Sequence, residues 1–296
     1  MCVMMVKHGG FIMQSTCNVC FRHCKLNEGQ TGACFARAGG ENGETVLINY
    51  GHVTSIALDP IEKKPLYHFH PGSMILSVGS YGCNLKCPFC QNVSISLADN
   101  NTNNFPQYEY VAPETLVELA KEYVPHGNIG VAFTYNEPLV CYEYVRDTAC
   151  LLKTDGLSTV VVTNGSVLPG VIDEIGSFID AMNIDLKCFS YDYYKDVLNG
   201  DYETTKECIE EALKYCHVEI TTLIIPGEND SVKEMEEMSL WIEGLEKKYG
   251  KAIPYHISRF FPRSRYADRK ATDIAVMKEL FDIASKKLSY VYLGNC

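Results

Sequence analysis

No run of about eighteen consecutive apolar residues occurs in the 296-residue chain, so no segment reads as a membrane-spanning helix. Basic charge is in deficit: 26 Lys and Arg stand against 37 Asp and Glu, a formal charge of -11 that would repel a phosphate backbone and argues against bulk nucleic-acid binding. Residues Met1 to Cys17 lack the basic leader, apolar stretch and small-residue cleavage site of a secretory signal, which predicts a protein of the reducing cytoplasm. Internal repeats and low-complexity stretches are missing as well. With 46% hydrophobic and 21% charged residues the chain can bury a core, and disorder is excluded as its dominant state.

Cysteine, by contrast, is abundant. The chain has 14, and seven of them fall in two tight clusters, Cys17, Cys20, Cys24 and Cys34 in one and Cys83, Cys87 and Cys90 in the other. In a reducing compartment such clustered thiols bind metal rather than pair as disulfides. Cys141, Cys150, Cys188, Cys208 and Cys216 sit in patterned elements and read as small buried thiols.

Residues 1–40 are rich in Cys and Gly and poor in apolar periodicity, as expected of a small metal-binding segment held by its thiols. Residues 41–71 read as a connection, and the stretch 59–72, with three prolines and a charge cluster, predicts order with little regular structure. Through 72–296 short β-rich runs alternate with helical ones. Strands are predicted at 74–79, 129–134, 158–163, 180–186, 218–225 and 254–258, and helices at 113–124, 138–153, 168–178, 204–216, 231–249 and 272–286. Six β/α units imply a parallel sheet covered by helices, either an open doubly wound sheet or a full or partial barrel. Met235, Met238, Trp241, Ile242 and Leu245 recur at helical spacing and read as core. Arg259, Arg263, Arg265 and Arg269 read as a solvated loop, with docking of an acidic partner as the alternative.

Directly after the first predicted strand stands Gly82-Cys83-Asn84-Leu85-Lys86-Cys87-Pro88-Phe89-Cys90, a C-x3-C-x2-C triplet where strand ends build active sites in α/β folds. A closed zinc site takes four ligands and an electron-transfer [4Fe–4S] cluster usually has four cysteines. A lone triplet therefore points to a cubane with one iron open to a substrate. The bland alternatives are a zinc site completed by a distant His, or three free thiols. Later strand ends add polar groups. Thr134-Tyr135-Asn136-Glu137-Pro138 opens a helix, and Asn136 or Glu137 reads as its cap. Thr163-Asn164-Gly165 is a small polar turn. The two-residue period puts Asp185 and Lys187 on one face of their strand, as a buried ion pair or as ligand contacts. His256 in itself reads as a satisfied core residue.

The triplet resembles the fingerprint of radical S-adenosylmethionine (SAM) enzymes. That resemblance implies a [4Fe–4S] cluster on Cys83, Cys87 and Cys90, with SAM chelated to the open iron and cleaved by one electron to a 5′-deoxyadenosyl radical that abstracts hydrogen. It implies Glu137 as an acceptor for the SAM ammonium, with Asn164 and Asp185 also in the SAM site. The segments Asp185-Leu186-Lys187 and Pro254-Tyr255-His256 resemble those of the glycyl-radical-activating enzymes whose Lys and His contact SAM, which implies those roles for Lys187 and His256. Cys90-Gln91-Asn92 resembles that group's Cys-His-Asn, with Gln91 replacing the usual His, and brings Asn92 into the same site.

Four longer matches narrow the resemblance: Asp59-Pro-Ile-Glu-Lys-Lys-Pro-Leu-Tyr-His-Phe69, the stretch Gly82 to Asn92, Tyr135-Asn-Glu-Pro138, and Tyr290-Val-Tyr-Leu-Gly-Asn295. Together they look like the radical SAM enzyme of the AmmeMemoRadiSam system. This implies a partial six-unit (β/α) TIM-type barrel, association with a Memo-like protein and an AMMECR-type protein, and an electron donor of flavodoxin or ferredoxin type. Members of that family often continue past Tyr-Leu-Gly-Asn into a Cys-containing tail, whereas this sequence ends at Cys296. The quartet Cys17, Cys20, Cys24 and Cys34 recurs in the family too, and four thiolates suit either zinc or an auxiliary iron–sulfur cluster. Three functions stay open: direct radical chemistry on a small-molecule or partner-bound substrate, installation of a glycyl radical on a partner protein, and a noncatalytic metal-binding or electron-transfer scaffold.

Overall fold

The computed structural model describes residues 14–97 and 106–296. Its main sheet has eight strands, β1 (Ser55–Pro60), β2 (Met74–Gly79), β3 (Asn128–Thr134), β4 (Ser158–Thr163), β5 (Ala181–Asp185), β6 (His217–Ile224), β7 (Tyr255–Arg259) and β8 (Val291–Gly294). Strands β2 to β8 lie side by side in chain order, all parallel, and β1 runs antiparallel along the β2 edge. The helices between them are α1 (Pro113–Glu122), α2 (Tyr142–Thr154), α3 (Pro169–Ile175), α4 (Tyr191–Asp196), α5 (Tyr202–Ala212), α6 (Val232–Tyr249) and α7 (Ile274–Ala284).

A doubly wound sheet needs a reversal of strand order, and this one has none. Successive right-handed crossovers then place every helix on the same face. The side chains agree: Leu76, Val78, Val131, Phe133, Val161, Met182, Ile184 and Ile220 join the large helix-side core, while the alternate residues Ile75, Ala132, Val160 and Ala181 form a separate small cluster on the opposite, inner face. The sheet stays open between β1 and β8, so the architecture is a partial barrel with six β/α units, as the family resemblance implied. Strands β1 and β8 extend it beyond the alternation legible in the sequence.

The helices form where local chemistry allows. Pro113 opens α1, whose Leu116, Val117 and Ala120 are buried. Ser231 caps α6 by accepting from the Glu234 amide, Gly250 ends it at φ +66, and Met235, Met238, Ile242 and Leu245 face the core, as their spacing predicts. Among the described residues no helix is long and apolar enough to cross a membrane.

Two organisational expectations need correction. The supposed connection 41–71 contributes β1 to the sheet, and beyond it Ile61 and Leu66, both 0% exposed, pack against Ile75, Ala132, Val160 and Ala181. Each such side chain contributes roughly 1.5–3 kcal/mol by leaving water, so the segment is a plug in the inner face rather than a linker. The Cys-rich unit also runs past residue 40, because Arg37–Gly39 pairs with Thr45–Leu47. Residues 1–13 of the predicted 1–40 segment lie outside the described residues.

Candidate active site

At the end of β2 the chain turns into the triplet loop, whose carbonyls are tied down by side chains from three distant segments. Arg22 Nε donates to the Asn84 carbonyl (2.8 Å), Arg265 Nη2 to that of Lys86 (2.6 Å), and Asn136 Nδ2 to those of Tyr81 and Gly82 (3.2 and 3.1 Å). Asn84 in turn donates to the Ser166 carbonyl at 2.7 Å. Gly82 is required here: at φ +93, a Cβ on it would meet the Cys34 carbonyl oxygen at 2.4 Å. Because Arg265 anchors the loop, the basic stretch is not merely solvated; Arg269 is also paired, with Glu228.

The three thiols occupy this immobilised loop, Cys87 buried and Cys83 and Cys90 half-buried. The Leu85 amide (3.4 Å) and Asn164 Nδ2 (3.5 Å) both donate to Cys83 Sγ. Burial drives the Cys83 thiol well above its ordinary pKa, and it pushes Cys87 up to about 11 although Lys187 pulls the other way. Buried soft donors with N–H groups aimed at a sulfur are what a thiolate-held cluster requires, and the cluster's iron replaces the protons. Three soft donors on one fixed loop, with N–H groups on Cys83 Sγ, fit such a cluster.

Ends of the following strands surround the loop. Tyr135 leaves β3 at φ +74, its carbonyl accepting from Asn92 Nδ2 (2.7 Å) and its hydroxyl donating to Asp59 (3.0 Å). Glu137, 1% exposed, accepts from the Leu139 amide, Thr163 Oγ1 and the Asn164 amide at 3.0, 2.7 and 2.7 Å, so it caps the next turn as the bland reading held. Burial raises its carboxyl to about 7 despite these donors. At the end of β5, Lys187 Nζ donates to Asp185 at 2.8 Å. Burial alone would lower the Lys187 pKa, but Asp185 and Cys87 outweigh it and hold the ammonium charged. Cys83, Cys87, Asn92, Glu137, Asn164, Asp185 and Lys187 thus gather at one end of the sheet.

His256 lies in β7 opposite Thr221, which in turn stands opposite Asp185; it is 3% exposed, and it binds Glu219 through Nε2 at 2.6 Å between the rings of Tyr67 and Tyr292. Glu219 is the residue that sequence reasoning missed. Its fully buried carboxylate accepts from the Tyr67 and His68 amides, His217 and His256, so it fastens the plug across the inner face. The signal was present, since Glu219 stands between apolar Val218 and Ile220 at an inward position of a strand. Arg22, Asn84 and Arg265 were invisible, because their partners are backbone carbonyls far away in the chain.

Comparisons with known proteins agree with this geometry. Residues 77–239 match the radical SAM superfamily. The chain is 36% identical over 285 residues to an uncharacterised protein of Methanocaldococcus jannaschii, covering 94% of this chain and 80% of that one. It is 27% identical over 184 residues to the pyruvate formate-lyase 1-activating enzyme of Escherichia coli, covering 59% and 71%. In fold it resembles Streptococcus suis SuiB bound to its precursor peptide SuiA, with a TM-score of 0.56 at 12% identity over 80% of this chain and 51% of that one.

Proposed function

The chain belongs to the radical SAM superfamily, and from that premise we propose that it acts directly on a small-molecule or partner-bound substrate held against the inner face of the barrel. It is a radical SAM enzyme related to glycyl-radical activating enzymes, and its cofactors are a [4Fe–4S] cluster and SAM. When bound, these supply one-electron cleavage of the SAM sulfonium and a 5′-deoxyadenosyl radical for hydrogen abstraction. Cys83, Cys87 and Cys90 would hold the cluster, leaving its fourth iron to the SAM amino and carboxylate groups. Lys187, oriented by Asp185, would offer its remaining N–H donors to the carboxylate. Glu137 would accept from the ammonium on the lone pair that its three donors leave free, with Asn92 and Asn164 shaping the rim.

The observation that supports this reading is Asn164 Nδ2 on Cys83 Sγ beside the Asp185–Lys187 pair, which puts a cluster ligand and a carboxylate-binding cation at neighbouring strand ends. Direct chemistry is favoured by the inner face beneath it. There the buried Lys64 binds Asp59 at 2.9 Å under the Tyr135 ring, a polar floor suited to a polar substrate. The identity to the pyruvate formate-lyase activating enzyme supports installation of a glycyl radical as the second reading. The sequence matches to the AmmeMemoRadiSam family support assignment to that system, with a Memo-like and an AMMECR-type protein as partners and a flavodoxin or ferredoxin as donor.

The test is 5′-deoxyadenosine formation, read by mass spectrometry, from anaerobically reconstituted and reduced protein given SAM. Formation that is lost in Cys87→Ala is expected, with acceleration by the Memo-like and AMMECR-type proteins and their substrate. No formation from protein shown to hold a reduced cluster, with or without those partners, would leave the scaffold reading. Transfer of the radical to a partner glycine, seen by EPR, would establish the second reading instead.

A further inference from the structure

Tyr135 is held in a conformation that a turn alone would not give to a tyrosine. It follows Thr134, the last residue of β3, and adopts a φ of +74, in the left-handed region where glycine and asparagine sit without strain. Three contacts fix it there. Asn92 Nδ2 donates to its carbonyl at 2.7 Å. Gly79, opposite Thr134 on β2, leaves room for its ring, since a Cβ on Gly79 would meet Tyr135 Cδ2 at 2.8 Å. The hydroxyl donates to Asp59 Oδ2 at 3.0 Å. Gly79 is in phase with Ile75 at the two-residue period, so the ring that takes the place of its side chain lies on the inner face. It runs from the rim of Asn92 and Glu137 towards the plug.

The hydroxyl does not end on an isolated acceptor. Asp59 Oδ2 also accepts from Lys64 Nζ at 2.9 Å, and Oδ1 accepts from Lys63 Nζ at 3.1 Å. Lys64 is 4% exposed, its ammonium 4.9 Å from the centre of the Tyr135 ring, whereas Lys63 is 66% exposed. Lys63, Asp59 and Tyr135 thus form an unbroken hydrogen-bonded chain from solvent to the inner face, with Lys64 fixing the carboxylate. Burial would raise the Asp59 carboxyl, yet the two lysines hold it well below the ordinary carboxylate range. Burial and the Asp59 charge raise the Tyr135 phenol, which therefore keeps its hydrogen at neutral pH. A phenylalanine would fill the same space. The hydroxyl with a proton line to water is what packing does not require.

Hydrogen abstraction leaves a carbon radical, and a hydrogen atom given to that radical closes the reaction. We propose that Tyr135 is the hydrogen-atom donor, with Lys63 and Asp59 returning the proton. In the step the phenol O–H bond breaks and a stronger C–H bond forms, leaving the radical on the tyrosine oxygen. One electron from a low-potential flavin or iron–sulfur carrier then reduces the tyrosyl radical. A proton passes from Lys63 through Asp59 to the oxygen and is replaced from water. The donor role rests on the radical chemistry of the proposed function, but the hydrogen-bonded chain does not.

The experiment uses the full chain, reconstituted and reduced anaerobically in D2O and given SAM without substrate, so that the 5′-deoxyadenosyl radical takes its hydrogen from the protein. Carbon-bound hydrogens of the protein do not exchange with solvent, whereas a phenol does. Wild type is expected to release 5′-deoxyadenosine carrying one solvent deuterium, read by mass spectrometry, and Tyr135→Phe to keep its cluster by EPR yet lose that label. Unlabelled product from wild type, or equal label in Tyr135→Phe, would overturn the donor role alone. No 5′-deoxyadenosine from protein holding a reduced cluster would overturn the proposed function and the donor role with it. If Tyr135→Phe does not fold, freeze-quenched EPR of wild type decides: a radical signal that narrows when tyrosine is ring-deuterated is required, and its absence from a sample making labelled product overturns the role. A readout without cofactors tests the chain itself. In metal-free protein with 13C-labelled tyrosine, NMR should show the Tyr135 phenol ionising above the ordinary range and Asp59→Asn lowering its pKa. An ordinary value, or no shift in Asp59→Asn, would overturn the hydrogen bond on which the role depends.

Discussion

Glu219→Gln is the sharpest test of the plug. The wild-type carboxylate accepts four hydrogen bonds, two per oxygen: Tyr67 N at 3.0 Å and His256 at 2.6 Å on Oε2, and His68 N at 2.7 Å and His217 at 2.9 Å on Oε1. Gln preserves the volume but presents an NH2 to one of those pairs. A His can change tautomer and accept from it, but a backbone N–H cannot, so one buried amide is left without an acceptor and the rest lose a charged partner. A buried unsatisfied amide costs about 1–3 kcal/mol, and weakening the remaining bonds brings the loss to roughly 2–4 kcal/mol. Titration gives an independent figure. Burial would raise the Glu219 carboxyl, yet the two His and two amides hold it at about 2 against an ordinary 4.5, a difference that corresponds to roughly 3 kcal/mol. For a depressed carboxyl this stabilisation is complete above pH 4.5 and fades as the pH falls towards 2. Urea unfolding of the metal-free protein should therefore show Glu219→Gln weaker by that amount at pH 7, with the gap closing in acid. Hydrogen exchange at the Tyr67 and His68 amides should accelerate in parallel. A loss below about 1 kcal/mol at pH 7, or one that does not change with pH, would refute the assignment of Glu219 as the fastener.

Other expectations are narrower. Cys87→Ala should abolish triplet-cluster assembly, whereas Lys187→Ala should keep the cluster by EPR and weaken SAM binding about 10- to 100-fold, the worth of one charge-assisted contact; loss of the cluster in Lys187→Ala would sink its proposed role. Gly82→Ala places a methyl against the Cys34 carbonyl at a φ of +93, so a cost of at least about 1–3 kcal/mol and reduced iron loading are expected by thermal melt and iron assay. Lys64→Met leaves Asp59 short of its buried partner, with Lys63 exposed to solvent, and should cost about 3–5 kcal/mol in urea unfolding; adding Asp59→Asn should recover part of it. Asn164→Ala removes an N–H donor from Cys83 Sγ and should lower the triplet cluster's reduction potential in a spectroscopic titration; a raised or unchanged potential would remove Asn164 from that role.

The strand–helix alternation was legible because each helix buries one stripe and each inner strand is apolar on its helix side, as in β4, which matches its predicted span of 158–163. The triplet was legible because its spacing is local. What escaped notice depends on contacts distant in sequence. The 59–69 stretch looks solvated, with its charges and prolines, yet Asp59 and Lys64 satisfy one another and Tyr135 while Ile61 and Leu66 fill the inner face. The last strand, β8, is four half-buried residues with no charge contrast to mark it, and it is a strand because it completes the edge beside β7. The surroundings of His256 were equally illegible, because they are set by Glu219 and Tyr67, on other segments of the chain.

The two ends of the barrel are held by different chemistry, and this bears on how a substrate could be accommodated. At the triplet end, Arg22, Asn136 and Arg265 donate to loop carbonyls, so the loop that carries the thiols is fixed through its backbone. At the opposite end, one carboxylate gathers four donors and pulls a plug across the sheet. The inner face between them is therefore closed below and anchored above, and several of its polar groups are already paired: Asp59 with Lys64, Asn183 with Thr221, Glu219 with His256. A substrate bound there must compete with those internal partners, which favours one that brings its own complementary polar groups over an apolar one, because displacing a buried ion pair without replacing it costs several kcal/mol.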